Sequence, residues 1–322
     1  MRRHLALSTD FPAPDIVAAA GIADERGIDA VWVTDIRFLR DCYALLGAMS
    51  VTTRRVVLAC GVSDPYTRHP AYIVAAAATL AELAPGRFIL GLGAGGSGLD
   101  RIGITRREPV RTVETAIVAM HTMLAGGRAD ADTPGFRLTN GKLAFTVPGT
   151  IPIALVAHGP AMYRLAGRLA DLVFIGNYAR EAGIAWARAR LAEGTAERAA
   201  GLGELREVWR VDTCVAERSE DARAVMRARV RQLLASGYYG ETFLAPIGLS
   251  RLVGHADAPD TEIDTLVDAV ALAGAPDEVT ERIRALVART GVAEICYRPY
   301  AAPGQTLREA TDRIEAAIDA AG

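Results

Sequence analysis

Several short stretches of this 322-residue chain hold groups that could do chemistry. Asp35 closes the apolar run Val31-Trp32-Val33-Thr34. A carboxylate at the end of a strand can accept a hydrogen bond from a ligand hydroxyl or ring N–H, or it can cap the helix that follows. His158-Gly159-Pro160 follows a second apolar run and would set backbone N–H groups at a helix start, a place where anions bind. It could equally be an ordinary connection with a solvated histidine. Gly176-Asn177 repeats this small-polar pattern after a third run. Arg37, Arg40, Arg68, Arg101, Arg106, Arg107 and Arg298 gather in loops of the same kind, which suggests an anionic ligand, although many such arginines are simply solvated.

Gly91-Leu92-Gly93-Ala94-Gly95-Gly96 fits G-x-G-x-x-G. The dinucleotide reading needs a helix to open at the last glycine and an acid at the end of the next strand. Here Ser97–Glu108 reads as loop, Pro109 opens the helix, and the nearest acid at suitable distance, Glu114, lies inside that helix. The dinucleotide reading is therefore set aside. The glycines either thin a loop so that a flat ligand can approach backbone, or make a flexible rim. No GK[ST] loop, HExxH, nucleophile elbow or Cys/His metal spacing is present, so hydrolysis and phosphoryl transfer lack machinery.

The elements that must position these groups alternate along the chain. Strands are expected at 4–8, 30–34, 56–60, 88–92, 151–157, 172–175, 208–216 and 293–296, with helices between them. Pro70, Pro109, Pro160 and Pro276 mark helix starts. Lys142–Val147 is expected as a small extra hairpin, and residues 235–273 as a less regular insertion. Eight strand–helix units with continuously apolar strands give an α/β fold, a TIM (β/α)8 barrel with insertion segments, in a single domain over 1–322. An open doubly wound sheet is the competitor.

About half of the residues are hydrophobic (51%), enough for a large core, and the net charge of −2 implies no general attraction to nucleic acid or membrane. The N-terminus does not read as a signal peptide, and no apolar stretch approaches a membrane span. Cys42, Cys60, Cys214 and Cys296 form no CxxC pair and read as core residues of a reduced, cytoplasmic protein without a metal.

The segment Cys60-Gly61-Val62-Ser63-Asp64-Pro65-Tyr66-Thr67-Arg68-His69-Pro70 leads from a strand into a helix, and in α/β folds that turn faces the ligand. Together with VWVTD at 31–35, LAPGRFILGLGAG at 83–95, PVRTVETAI at 109–117, IPIALVAHGP at 151–160 and LAGRLADLVFIGN at 165–177, it resembles the luciferase-like flavin and deazaflavin oxidoreductases. Within them it is most similar to the methylene-tetrahydromethanopterin reductase branch.

The resemblance implies a barrel that binds coenzyme F420 (alternatively FMN) at the C-terminal ends of its strands. It implies a cis peptide at Gly61-Val62, forming a bulge behind the ring. It places Asp35, Gly61, Val62, Ser63, Ala94, Gly95, His158, Gly159, Gly176 and Asn177 around the coenzyme. The implied reaction is hydride exchange with C=C, C=N or C–O in a small-molecule substrate; the alternative is an FMN-dependent monooxygenase. The implied protein acts as a homo-oligomer, a dimer or tetramer. The branch carries a glutamate at the end of the first strand where this chain has Ser8, which argues against methylene-tetrahydromethanopterin as substrate. Candidates for handling a proton are Asp10, Asp64, Tyr66 and His158.

Overall fold

The computed structural model describes residues 1–96 and 98–322; Ser97, the first residue of the expected 97–108 loop, lies outside the described residues. The chain runs β1 (Arg2–Leu7), α1 (Ala13–Glu25), β2 (Ala30–Val33), α2 (Cys42–Thr52), β3 (Val57–Cys60), α3 (Pro70–Leu83), β4 (Phe88–Leu92), α4 (Pro109–Leu124). A hairpin follows, β5 (Ala129–Asp132) and β6 (Arg137–Gly141), then β7 (Ile153–Ala157), α5 (Pro160–Leu169), β8 (Leu172–Gly176), α6 (Glu181–Thr195) and β9 (Arg206–Val215). The last part holds α7 (Ser219–Ala235), α8 (Glu241–Leu244), α9 (Asp260–Val270), β10 (Ala271–Gly274), α10 (Pro276–Thr290), β11 (Glu294–Pro299) and α11 (Leu307–Ala321).

Parallel pairing runs β11-β1-β2-β3-β4-β7-β8-β9, and β9 pairs with β11 to close the ring: a TIM barrel. The doubly wound alternative is excluded by that closure. Pro70, Pro109, Pro160 and Pro276 each sit in the first turn of their helix, where the missing N–H has no partner to lose.

Two expectations are corrected. The extra hairpin is β5–β6 (Ala129–Gly141), not Lys142–Val147. Residues 235–273 are more ordered than expected, since they contain α8, α9 and β10. Strand β10 also pairs with β9, through Ala271↔Asp212 to Gly274↔Val215, just beyond the rows where β8 pairs with Arg206–Arg210. Arg210 O accepts from Asn177 N, whereas Thr213 O accepts from Tyr300 N. Successive strand residues face opposite edges, so β10 lies on the same edge as β8 and continues it.

Two cores form. The larger packs the helices on the outside of the barrel, and the smaller fills its inside with Ala6, Ala30, Trp32, Ala59, Ile89, Ala154, Phe174, Val208 and Cys296. Alanines face the large Trp32 and Phe174 rings, which meet edge-on at 4.3 Å. This inside set fixes the parity of every strand. Two residues further on, Ser8, Thr34, Gly61, Gly91, Val156, Gly176, Arg210 and Arg298 must point into the C-terminal mouth.

The N-terminal end is plugged. His4 Nδ1 accepts from Trp32 Nε1 at 3.2 Å, so His4 Nε2 carries the proton that faces Glu294 Oε2 at 3.3 Å. Arg206 donates to both Glu294 oxygens, at 3.0 and 2.9 Å. Burial alone would raise the Glu294 carboxyl, but the His4 and Arg206 hydrogen bonds outweigh it and hold it at about 2. A carboxyl depressed in the folded state stabilises fully above its ordinary value of 4.5, and the gain is lost as pH falls toward 2. Glu294→Ala is expected to lower stability by roughly 3 kcal/mol at pH 7. Denaturant midpoints of the two proteins should converge below pH 4; a gap unchanged at pH 3 would contradict this account.

Candidate active site

The mouth has two unlike walls. On β2, β3, β4, β7 and β8 it is built of small residues. Strand β3 ends at Cys60, and the Gly61–Val62 peptide is cis, as the resemblance implied. Gly61 N donates to Val33 O at 2.7 Å, Ser63 N to Gly91 O at 3.1 Å and Gly93 N to Ser63 O at 2.9 Å, so the turn is stitched to both neighbouring strands. Gly91 makes this possible, because a Cβ there would lie 2.0 Å from Cys60 O and 2.7 Å from Val62 Cγ1. Gly176 has the opposite reason to be glycine. It is buried, yet a Cβ added to it would meet nothing within 4 Å. A hollow therefore opens beside the β8 backbone, the kind of cradle that the edge of a planar group fits.

Beneath the turn lies a polar web. Ser63 Oγ donates to Asp35 Oδ2 at 2.6 Å and meets Tyr43 Oη at 3.0 Å. Arg68 holds both Asp35 oxygens, at 2.8 and 3.2 Å, and also reaches Asp41. Asp41 is both the α2 cap, accepting from Ala44 N, and an Arg68 partner. Burial would raise its carboxyl, but the Arg68 hydrogen bond outweighs it and lowers it. Tyr43 and Asp41 were missed in the sequence, where Tyr43 looks like an ordinary helix residue and Asp41 like nothing more than a helix cap.

Of the coenzyme-pocket residues implied by the resemblance, Asp35, Gly61, Val62 and Ser63 come together here, with Ala94 and Gly95 on the adjoining loop. His158 and Gly159 follow β7, Gly176 ends β8 and Asn177 follows it, on the next strands round the ring from β4. His158 Nε2 lies 2.7 Å from Tyr238 Oη, and its ring packs edge-on against Tyr238 and tilted on Phe243. Burial, then the Arg210 charge, push its pKa down to about 4, so the imidazole is neutral at pH 7. Asn177 Nδ2 donates to Tyr239 Oη at 3.2 Å. Residues 238–243 thus lean on the β7 and β8 ends.

The other proton candidates are engaged elsewhere. Asp64 is buried; Oδ1 accepts from Tyr66 N and Thr67 N, and Oδ2 from Thr67 Oγ1 and Arg37 Nη1. Tyr66 Oη donates to Arg107 O at 2.5 Å, and its ring lies against Gly135 of the hairpin. These two anchor loops. Asp10 is exposed, with its carbonyl holding Arg40. Arg37 and Arg68, expected to await an anionic ligand, are paired with Asp64 and Asp35 instead.

The facing wall, on β9, β11 and β1, is polar. Arg210 Nη1 donates to Asn177 Oδ1 at 2.5 Å and Nη2 to Asp212 Oδ1 at 2.8 Å. Arg298 Nη2 donates to Ser8 Oγ at 3.0 Å. The sequence hid Arg210 and Asp212, because they sit within what reads as an ordinary strand. Among the described residues no group of three or more His, Cys, Asp or Glu could hold a metal ion, and all four cysteines are free and buried. Among the described residues no helix is long and apolar enough to cross a membrane.

Fold and mouth together define a (β/α)8 barrel whose mouth sets a glycine-lined wall opposite a polar one. The luciferase-like monooxygenase family model matches residues 1–294, and the chain belongs to that family. It is 29% identical over 290 residues to a 5,10-methylenetetrahydromethanopterin reductase of Archaeoglobus fulgidus, covering 85% of this chain and 86% of the relative. It is 29% identical over 295 residues to an F420-dependent glucose-6-phosphate dehydrogenase of Beutenbergia cavernae, covering 87% and 86%. The solved coenzyme F420-dependent tetrahydromethanopterin reductase from Methanopyrus kandleri superposes with a TM-score of 0.79 at 22% identity, covering 97% and 96%, which bears out the fold.

Proposed function

We propose that the protein is an F420-dependent oxidoreductase that exchanges a hydride with C=C, C=N or C–O in a small organic substrate other than methylene-tetrahydromethanopterin. The observation that carries this reading is the buried Gly176 with open space where a side chain would be. Relatives with different substrates in their names align over most of the chain, which supports a common coenzyme end and a variable substrate end.

Bound there, the deazaflavin would supply hydride chemistry, so the chain needs no nucleophile of its own. The residues around it hold and orient. The Gly61–Ser63 turn would back the ring, and Asp35, locked by Arg68 and Ser63, would keep that turn in place. His158, neutral and tied to Tyr238, is the titratable group among the proton candidates that lies at the mouth. Ser8 stands at the end of β1 bonded to Arg298, with no carboxylate in that place, which supports a substrate other than the pterin.

Titration of the purified chain with F420 and with FMN, followed by fluorescence, tests the assignment. F420 should bind at least about tenfold more tightly. Tight FMN binding without F420 binding would instead make it an FMN-dependent monooxygenase.

A further inference from the structure

The polar wall carries more positive charge than its one carboxylate can balance. Asp212 is fully buried. Its Oδ1 takes Arg210 Nη2 at 2.8 Å, while Oδ2 faces Arg229 Nε of α7 at 3.6 Å and Tyr300 Oη at 3.4 Å. Both oxygens are thus occupied. Burial alone would raise this carboxyl, but Arg210, Arg298 and Arg229 outweigh it and lower it, so it is ionised. Arg298 comes from the neighbouring strand, where it stands beside Asp212 in register. Among the described residues its guanidinium has no carboxylate within 4.0 Å; it donates to the neutral Ser8 Oγ and lies over the Tyr300 ring at 5.4 Å. Two guanidiniums therefore lie within 4.0 Å of one carboxylate, and a third stands beside it on the next strand.

Inside the mouth such an excess needs a counter-anion more than it would on a solvated rim. Parity directs Arg210 and Arg298 into the mouth, and Arg210 pairs in register with Gly176 at the hollow. The fork of Arg298, steadied by Ser8 and Tyr300, keeps most of its five donors for a planar or tetrahedral oxyanion.

We infer that Arg298 and Arg210 form a subsite for one carboxylate or phosphate group of the substrate, opposite the glycine-lined wall. The inference rests on the coenzyme reading only for which wall the substrate faces. The shared chemistry could also belong to an anionic part of the coenzyme itself, and the experiment separates the two.

Inorganic phosphate and acetate serve as probes, titrated into the full-length protein at constant ionic strength with and without saturating F420, and followed by calorimetry. Arg298→Met should weaken phosphate binding about tenfold or more, and Arg298→Lys should retain it within about threefold. F420 affinity, read by fluorescence on the same proteins, should stay within about twofold. If Arg298→Met is unfolded by circular dichroism, Arg298→Gln takes its place.

The subsite is overturned if wild-type protein binds neither probe, or if Arg298→Met binds them as well as wild type does. It is also overturned if F420 affinity falls by the same factor as phosphate affinity, since the arginine then serves the coenzyme. Failure of wild type to bind F420, with phosphate binding still dependent on Arg298, would sink the coenzyme reading and leave the anion subsite standing.

Discussion

Gly176→Val is expected to weaken F420 binding by about a hundredfold or more, equivalent to about 2.7 kcal/mol, while the barrel stays folded. The two halves of this expectation come from one measurement. A Cβ at Gly176 meets nothing within 4 Å, so the branch point of the new side chain clashes with no atom beyond its chain neighbours and its two methyls extend into the hollow. It sits at the end of β8, where a β-branched residue suits the backbone. The thermal midpoint should therefore stay within about 2 °C of wild type or rise slightly. What the valine does occupy is the hollow itself, which a planar ligand would have to share. Fluorescence titration and a thermal scan on the same preparation decide the matter. Unchanged F420 affinity would mean that the hollow is not where the ring lies.

Gly91→Ala should fail in the opposite way, by damaging the fold first. The added methyl would lie 2.0 Å from a backbone oxygen, and that oxygen belongs to Cys60, whose strand is pinned between β2 and β4. No flexible side-chain end can move aside. Either β4 or the Gly61–Ser63 turn must shift, at a cost of about 3 kcal/mol or more. For a chain of 322 residues that corresponds to a fall of roughly 4–5 °C or more in midpoint. A displaced turn would also weaken coenzyme binding, so both signals drop together, unlike the valine variant. A midpoint within about 2 °C of wild type would show that the turn does not press on Gly91 as described.

Much of the barrel was legible because its punctuation is local. Proline in the first turn of α3, α4, α5 and α10 fixed where those helices start, and runs such as Phe88–Leu92 and Leu172–Ile175 could hardly be other than buried strands. The hairpin was misplaced because Phe145 and Val147 look like strand residues, whereas β5 and β6 are short and polar, Ala-Asp-Ala-Asp and Arg-Leu-Thr-Asn-Gly. Ala271–Gly274 carries too little character to read as a strand; it becomes one because β9 offers it an edge. The glycine-lined wall of the mouth was found through its wording. Of the charged groups on the polar wall only Arg298 was singled out; Arg210 and Asp212 interrupt an apolar strand without forming any local pattern, and only parity around a closed sheet shows that both face inward. Arg37 and Arg68 erred the other way: spacing cannot reveal that Asp64 and Asp35 already neutralise them.

The shared edge of β9 bears on how this enzyme could be re-engineered. Its first rows complete the cylinder with β8, and its later rows carry β10 and the chain that leads into it. Of those later rows Asp212 and Thr213 also pair with β11, so only Cys214 and Val215 lie wholly beyond the cylinder. The stretch ahead of β10 is thus hung from an extension of β9 rather than from the seam with β8, yet Tyr239, Phe243 and Leu266 pack it into the main core, so exchanging it would mean refitting those anchors as well.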